Sequence, residues 1–556
     1  MKTLYSIGID FGTSNSCVAY ATFYDRGQGD VDPDALQSPE AISFHHRDTI
    51  PTVVFLGDGR EQPPLFGELA EEKSPYYPEL TRSGFKLRLG QAKTGKEAFL
   101  LAKQFLSYLR QRTAEVVPLD NKDPNVRFET VVGHPVQWSA DQREETRRAA
   151  REAGFPNVRL EEESMAALYS HLCGDREGFR PRPGSRILMV DMGGGTTDFA
   201  FLQLAMASDQ RPVSIPVDPA PNVPSWGNER RSYGGRDLDQ LILDHVTRDW
   251  DPDLVKKNRQ SLLREVRRFK EDFSTRIREG GSEHQSLWLV GEEARQVSLT
   301  RAEFEGFAAE YITHFEVLLK GALEEARVAP RQVTYLVLTG GHSRWYFVDA
   351  ALQHVFPHLS VKDRTILRHG HPEQSVARGL AYVPMMNANA GGILAPVRRA
   401  AHAVWVSVPN GALTAGNGAA AGGGAGASWD EPMLLIPRGQ ALPFQTRTPL
   451  RIRVEQLGLD SREATVSIRF FNGQQRTPLV ERNARFERGF WEQVSKTLSM
   501  KLPWVRSVTP DQFEVLVACQ VDEHELITAE LLVTRYLHGK ATEVQREKMK
   551  LSTGIA

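Results

Sequence analysis

One design occurs twice in this chain and limits its fold more than any other feature. Tyr5 to Tyr20 (YSIGIDFGTSNSCVAY) and Ile187 to Phe201 (ILMVDMGGGTTDFAF) each read as a strand, an Asp, a glycine-rich turn with hydroxyls, and a second strand. A duplicated hairpin implies two halves of similar build. Glycine accepts positive φ and lets a ligand's oxygens approach, so backbone N–H groups in such a turn can converge on phosphate. One such turn is equally well an ordinary tight turn; two favour a phosphate gripped from both sides. Asp10 and Asp191 end the first strands, where a carboxylate can hold Mg2+ through its water shell, and Asp198 is a third candidate. Neither a P-loop pattern nor a dinucleotide fingerprint in strand-to-helix context is found.

At 556 residues the chain is expected to form roughly two to four domains, each with its own core. Lys plus Arg total 68 against 70 Asp plus Glu, a net charge of -2. No overall field recruits nucleic acid or acidic lipid, and neither is expected as a partner. Cys17, Cys173 and Cys519 are far apart and lack metal-ligand spacing, which suits a reducing compartment. The opening MKTLYSIGIDFG reads as a strand rather than a signal sequence, and no apolar run would span a bilayer. A cytoplasmic location is the expectation.

Between the hairpins, Glu97 to Arg112 reads as a helix, Glu129 to Gly133 as a strand, and Ser139 to Ala153 as a charged helix stopped by Gly154. Beyond them, Asp237 to Trp250 and Gln260 to Ile277 read as helices, and Thr300 to Ala326 as one long helical stretch opened by a Thr cap. Tyr335 to Thr339 is a buried-type strand running into Gly340 and Gly341, with a helix from Trp345. This alternation gives an α/β domain over 1–386. Residues 387–402 have linker composition, and 403–556 are β-rich, with runs such as Met433 to Ile436, Leu450 to Glu455, Ala464 to Phe471, Phe513 to Val521 and Leu526 to Arg535. Within that domain, 411–428 is a low-complexity Gly/Ala segment expected to be mobile.

GIDFGTSNS (Gly8 to Ser16), VDMGGGTTD (Val190 to Asp198) and LTGGHSR (Leu338 to Arg344) resemble, in order and spacing, the three nucleotide signatures of the DnaK-type heat-shock chaperones. The resemblance implies a duplicated actin-like ATPase with ribonuclease-H-like halves, ATP or ADP as its nucleotide, Mg2+, and K+ as a further candidate ion. It places Gly12, Thr13, Ser14 and Asn15, and Gly193, Gly194, Gly195 and Thr196, on the phosphates, with Gly340, Gly341, Ser343 and Arg344 also at the nucleotide. FKLRLG (Phe85 to Gly90) resembles the segment carrying the family's catalytic lysine, here Lys86; without the family it reads as a solvated lysine. EESMAAL (Glu162 to Leu168) resembles its Glu-Pro-Thr-Ala-Ala segment, so Glu163 would orient metal-bound water, with Ser164 replacing the proline. Alone, Glu162 and Glu163 read as helix-start acids. Gly133 to Gly154 resembles the family's signalling segment, with Pro135 and Arg143 at the signalling positions.

Gly234, Gly235 and Asp237 in SYGGRDLD match a turn near the nucleotide, and RRFKEDFS (Arg267 to Ser274) matches the adenosine helix. Lys270 and Ser274 lie one turn apart there and can face the ribose and base. Arg267 stands where the family has an acid, and Glu373, in HPEQSVARG, where it has Asp. His342 and His371 read as surface or capping histidines without a metal role. The implied mechanism is slow in-line attack of water on the γ-phosphorus, with Asp10, Asp191 and Glu163 organising metal and water, and Lys86, Thr13 and Thr196 on the phosphoryl oxygens.

Met433 to Phe444 and Phe513 to Glu530 resemble strands of the chaperones' β-sandwich, which takes extended apolar peptide. Unfolded or specific protein segments are thus implied partners, with a co-chaperone or exchange factor. The family's acidic, leucine-rich linker is not recognisable, and no helical lid is expected after the last strand. The reading is a lidless, chaperone-like ATPase. The alternatives are an actin-like ATP-binding scaffold that docks a partner through its tail, and a small-molecule kinase of the same fold, for which no sugar-kinase motif is recognisable.

Overall fold

Both hairpins form. Lys2–Asp10 pairs antiparallel with Asn15–Asp25, setting Asp10 opposite Cys17. Arg186–Met192 pairs in the same way with Thr197–Leu204, setting Asp191 opposite Asp198. The computed structural model describes residues 2–25, 38–57, 63–91, 93–135, 138, 140–174, 179, 181–182, 184–204, 212–217, 233–290 and 293–388, together with the C-terminal strands given below.

Each hairpin nucleates a sheet of one design. The first runs Glu40–Ala41, Asn15–Asp25, Lys2–Asp10, Val126–His134, Val158–Glu162, with Ile50–Pro51 also pairing Asn15–Asp25. The second runs Pro212–Val217, Thr197–Leu204, Arg186–Met192, Tyr335–Thr339, Ile366–Arg368. In both, the hairpin and its outer neighbour are antiparallel and the last two strands are added parallel. The repeat seen in two short motifs is therefore a repeat of topology, the duplicated actin-like α/β arrangement. Inner strands such as Ile187 to Val190 and Leu336 to Leu338 are fully buried, which is why their sequences are continuous apolar runs instead of alternating ones.

A helix follows the fifth strand of each half: Glu163–Gly174 in the first and Ser375–Ala388 in the second. They cross at Gly379, where an added Cβ would lie 1.6 Å from the carbonyl oxygen of Ala166. Gly8 admits the second helix onto the first strand in the same way, its missing Cβ falling 2.2 Å from the Ala377 carbonyl oxygen. Backbone thus meets backbone where the halves join, an approach that only glycine permits.

Several helix bounds differ from the sequence reading. The helix read from Gln260 starts earlier, as Pro252–Arg278, because Asp251 caps it by accepting from the Asp253 N–H and Pro252 presets the first φ. Asp237 to Trp250 shortens to Gly235–Val246. The stretch from Thr300 is two helices, Arg301–Phe307 and Ala309–Ala326, broken at Ala308, and Thr300 and Glu303 form a reciprocal capping box. A hairpin that the sequence reading omitted, Glu283–Val290 with Glu293–Thr300, buries Trp288 and Val290 while exposing Leu287 and Leu289. Apolar residues on both faces blur its alternation. Phe269, Phe273, Trp288, Phe304 and Trp345 anchor the core of this half, with Phe304 stacked on Trp345 at 5.0 Å.

The chain divides into two compact units: Met1–Leu89, Thr94–Val136 and Thr146–Pro396 form one, and Gly90–Lys93, Gln137–Glu145 and Val397–Ala556 the other. The described strands of the second unit form two antiparallel sheets. One runs Met433–Ile436, Ala403–Ser407, Ala464–Gly473, Ser495–Leu502. The other runs Leu413–Thr414, Leu450–Arg453, Phe513–Val521, Ile527–Leu537, Lys540–Leu551, with Phe444–Gln445 beside Phe513–Val521. Lys540–Leu551 went unread because its charged sequence lacks a strand's apolar face. Beyond Ala388 the described residues contain no helix. Of the linker assigned to 387–402, residues 389–402 lie outside the described residues, as does all of 411–428 except Leu413–Thr414.

The crossing can be tested against an internal control. Gly379→Ala forces a Cβ into a carbonyl and should cost about 3 kcal/mol or more, whereas Gly306→Ala, with nothing within 4 Å of its Cβ, should be neutral or stabilising. Thermal denaturation of both variants measures this; equal melting temperatures would contradict the crossing.

Candidate functional site

The two glycine-rich turns meet face to face. An added Cβ on Gly194 would lie 2.4 Å from Oγ of Ser14, and one on Gly195 would lie 3.5 Å from Cγ2 of Thr13. The Gly193 N–H donates to the Thr196 carbonyl at 2.9 Å, closing the second turn. In the first, the Asn15 carbonyl oxygen lies 1.9 Å from where a Gly12 Cβ would be. A third backbone stretch joins them: Gly235 N–H donates to Gly193 O at 3.1 Å and Arg236 N–H to Gly194 O at 2.7 Å. Asp237 accepts from Gly234 N–H at 2.9 Å at the start of the Gly235–Val246 helix. Arg236 Nη2 donates to the Thr13 carbonyl at 3.0 Å and so ties the first turn to that helix. Backbone from three distant parts of the chain converges here, as recognition of a polyanion by main-chain N–H groups requires.

Charge is concentrated beside the turns. Lys86 Nζ donates to Glu163 Oε1 at 2.9 Å, and both residues are buried; the solvated-lysine reading therefore fails, while Glu163 does open a helix, Glu163–Gly174, and pairs with Lys86 from that position. Gly133 makes room for the pair, since its missing Cβ would fall 3.1 Å from Glu163 Cγ. Burial, followed by the Glu163 charge, pushes Asp10 up to about 7 against the pull of Lys86. Asp191 is held well above the usual carboxylate range by burial and then by Glu163, Asp198 and Asp10. Thr196 Oγ1 donates to Asp198 Oδ2 at 3.0 Å. Four carboxylates thus share one ammonium, an arrangement that a hard divalent cation would relieve. Among the described residues no three His, Cys, Asp or Glu side chains are placed to hold a metal directly.

The third signature approaches from the second sheet. Gly340 has φ 77°, and its missing Cβ would lie 2.2 Å from Met192 O and 2.8 Å from Asp191 Oδ1; neighbouring Gly341 faces open space. His342 is buried, contrary to its surface or capping reading. Tyr311 donates to Gly234 O at 2.8 Å, and its hydroxyl oxygen lies 2.8 Å from His342 Nε2, so that nitrogen carries the proton. Burial and then Lys270 hold His342 well below its ordinary pKa. His342 is thus a neutral strut between two of the glycine turns.

Lys270 Nζ donates to Gly235 O at 2.9 Å and pairs with Asp239 Oδ1 at 2.5 Å. Ser274 is buried one turn further on, its hydroxyl without a partner among the described residues. Arg267 pairs with Glu71 at 2.8 Å and lies 3.7 Å from Asp239. Ser343 donates to Gly340 O at 2.7 Å, and Arg344 lies 3.2 Å from Glu373 and donates to Gly370 O; these contacts shape the third turn and do not reach the carboxylates. His371 is exposed, as expected. Sequence reasoning missed Arg236, Asp239, Glu71 and Tyr311. The first two sit within SYGGRDLD, where their charges were a signal; Glu71 and Tyr311 are brought in only by tertiary packing.

A family model described as Hsp70 protein matches residues 100–396. A chaperone protein DnaK from Thermoplasma volcanium is 25% identical over 368 residues, covering 64% of this chain and 54% of that protein. The chain therefore spans about half the length of this curated relative.

The strut predicts a pH response. In the unfolded chain a histidine titrates near pH ~6.5, and in the fold His342 titrates well below that. Its contribution is complete above the unfolded value and is lost as pH falls, because the unfolded chain takes up the proton first. Asp10 and Asp191, held above the carboxylate range, act in the opposite sense in both proteins, so the melting temperature of wild type relative to His342→Gln should fall between about pH 7 and pH 5; a difference that does not change with pH would contradict the buried neutral imidazole.

Proposed function

The chain belongs to the Hsp70 family, and from that premise we propose that its first compact unit binds ATP with Mg2+ and hydrolyses it slowly, so that nucleotide state controls polypeptide binding by the second. The observation that carries this reading is the facing of Thr13 and Ser14 against Gly195 and Gly194 beside the buried Lys86–Glu163 pair.

In this reading the backbone of Gly12 to Asn15 and of Gly193 to Thr196 grips the phosphates, assisted by the Thr13 and Thr196 hydroxyls. Lys86 stabilises charge developing on the γ-phosphoryl group. Glu163 holds that ammonium in place and orients the attacking water. When bound at Asp10, Asp191 and Asp198, Mg2+ supplies charge neutralisation on the phosphate oxygens; K+ is a second candidate ion. Gly234, Gly235, Gly340 and Gly341 hold the adenosine with Lys270 and Ser274, while Ser343, Arg344 and Glu373 keep the third turn in shape.

The second unit's two antiparallel sheets suit extended, unfolded or specific protein segments, which add backbone hydrogen bonds at a sheet edge. A co-chaperone or exchange factor and a cytoplasmic setting belong to the same proposal; no helix among the described residues is long and apolar enough to cross a membrane.

Two substitutions separate binding from chemistry. Lys86→Ala should keep ATP within a few-fold of its wild-type affinity but slow single-turnover hydrolysis by about 10²–10³-fold. It should also lose about 3 kcal/mol of stability, because Glu163 is left buried and unpaired. Gly341→Asp should fold normally, given the open space at that position, yet abolish ATP binding in calorimetry. Unchanged hydrolysis in the first variant or unchanged binding in the second removes that residue's role. Fluorescence polarisation of an extended apolar peptide should show different affinities with ATP and ADP; equal affinities would favour the nucleotide-stabilised scaffold.

A further inference from the structure

A separate cavity, about 260 Å³ in volume, shares with the site described above only Gly370, whose carbonyl accepts from Arg344. Four segments enclose it. Ser38 precedes the Glu40–Ala41 strand, Ser170 and His171 lie on the Glu163–Gly174 helix, Arg368 to Gly370 end the second sheet, and Arg378 and Tyr382 lie on the Ser375–Ala388 helix. The lining holds two guanidinium groups, two imidazoles and three hydroxyls, and no carboxylate.

Its donors are not all consumed within the fold. Arg378 Nε donates to Gln374 Oε1 at 3.0 Å, which leaves its two terminal nitrogens without a hydrogen-bond partner among the described residues. Arg368 pairs through both terminal nitrogens with Asp349, at 2.7 and 3.4 Å, but its buried Nε has no partner among the described residues. His369 Nδ1 lies 3.0 Å from both the amide nitrogen and the carbonyl oxygen of His371, and burial, followed by the Arg378 charge, holds the ring below its ordinary pKa.

We propose that this cavity binds a small phosphate-type oxyanion, either inorganic phosphate or pyrophosphate or a short phosphomonoester. An anion with several acceptor oxygens in tetrahedral array can meet donors arriving from four segments, whereas a planar carboxylate meets them from fewer directions. The volume lies below the ~300 Å³ at which sites for drug-sized ligands begin, which suits a small anion. A bound anion bridges the Glu163–Gly174 and Ser375–Ala388 helices, the same two that cross at Gly379. The proposal stands apart from the nucleotide reading, because it uses none of the nucleotide-site residues.

The test is calorimetric titration of the full chain, at fixed ionic strength, with inorganic phosphate, pyrophosphate and glycerol 3-phosphate in turn. Wild-type protein should give saturable one-site binding for at least one of them. Arg378→Gln should weaken it at least about tenfold, and Ser170→Ala, which removes only a hydroxyl, several-fold, with ligand-free melting temperatures unchanged in the latter. Tighter phosphate or pyrophosphate identifies an inorganic source, and tighter glycerol 3-phosphate an organic one. Absence of saturable binding overturns the proposal, and so does equal affinity in wild type and both variants, which would move the bound anion to the facing turns.

Discussion

The first compact unit depends on backbone approaching backbone where a side chain would block it. At Gly379 and Gly8 the second half's final helix lies against the first half's helix and strand, and at Gly194 and Gly195 the turns of both halves come together. Each of these contacts lies between elements far apart in sequence, so each depends on both halves being formed. The same absence of Cβ atoms serves two ends. It lets two sheets share one pair of crossing helices, and it leaves main-chain N–H groups unobstructed where the glycine turns of both halves face each other.

Burial of charge follows from that geometry. Strands that end at the join deliver Asp10 and Asp191 to its interior, and the helix that starts after Val158–Glu162 delivers Glu163. A buried carboxylate without compensation shifts toward its neutral form, as Asp10 and Asp191 do. Lys86 compensates one negative charge only, through Glu163. The remaining deficit is one that a bound cation would offset, and under the proposed function ligand binding and stability are coupled through it.

Much of this was legible in the sequence because it is local. A strand, an Asp and a glycine turn occupy about ten residues, and their repetition announced two like halves before any helix was placed. The Thr300 cap was legible for the same reason. Features set by tertiary packing were not. Nothing within EYITHFE marks Tyr311 as the residue that orients His342, and nothing around Glu71 marks it as the partner of Arg267. The Glu283–Thr300 hairpin was hidden by Leu287 and Leu289, apolar residues on its exposed face, and the break at Ala308 by a continuous helical pattern on either side. Lys86 was legible only through a family resemblance, since one lysine in six residues carries no physical sign of burial.

Arg267 shows how a site can reverse a charge without losing its balance. Arg267 and Lys270 lie one turn apart on Pro252–Arg278, two cations on one helix face. Asp239 contacts both, at 3.7 and 2.5 Å, and Glu71 takes the other side of Arg267 at 2.8 Å. Two acids therefore meet two bases, and the reversal is absorbed within the cluster. Asp239 belongs to the Gly235–Val246 helix, whose first residues are bonded to Gly193 and Gly194, so the cluster also stiffens the mount of the second phosphate turn. Under the proposed function, what differs from the family pattern is the group offered to a sugar: a guanidinium already held by acids stands where the resemblance implies a carboxylate, while the Ser274 hydroxyl remains without a partner among the described residues. On that proposal side-chain recognition of a ribose is the part of the site free to diverge, because a grip on phosphate through main-chain groups is one that no side-chain substitution removes.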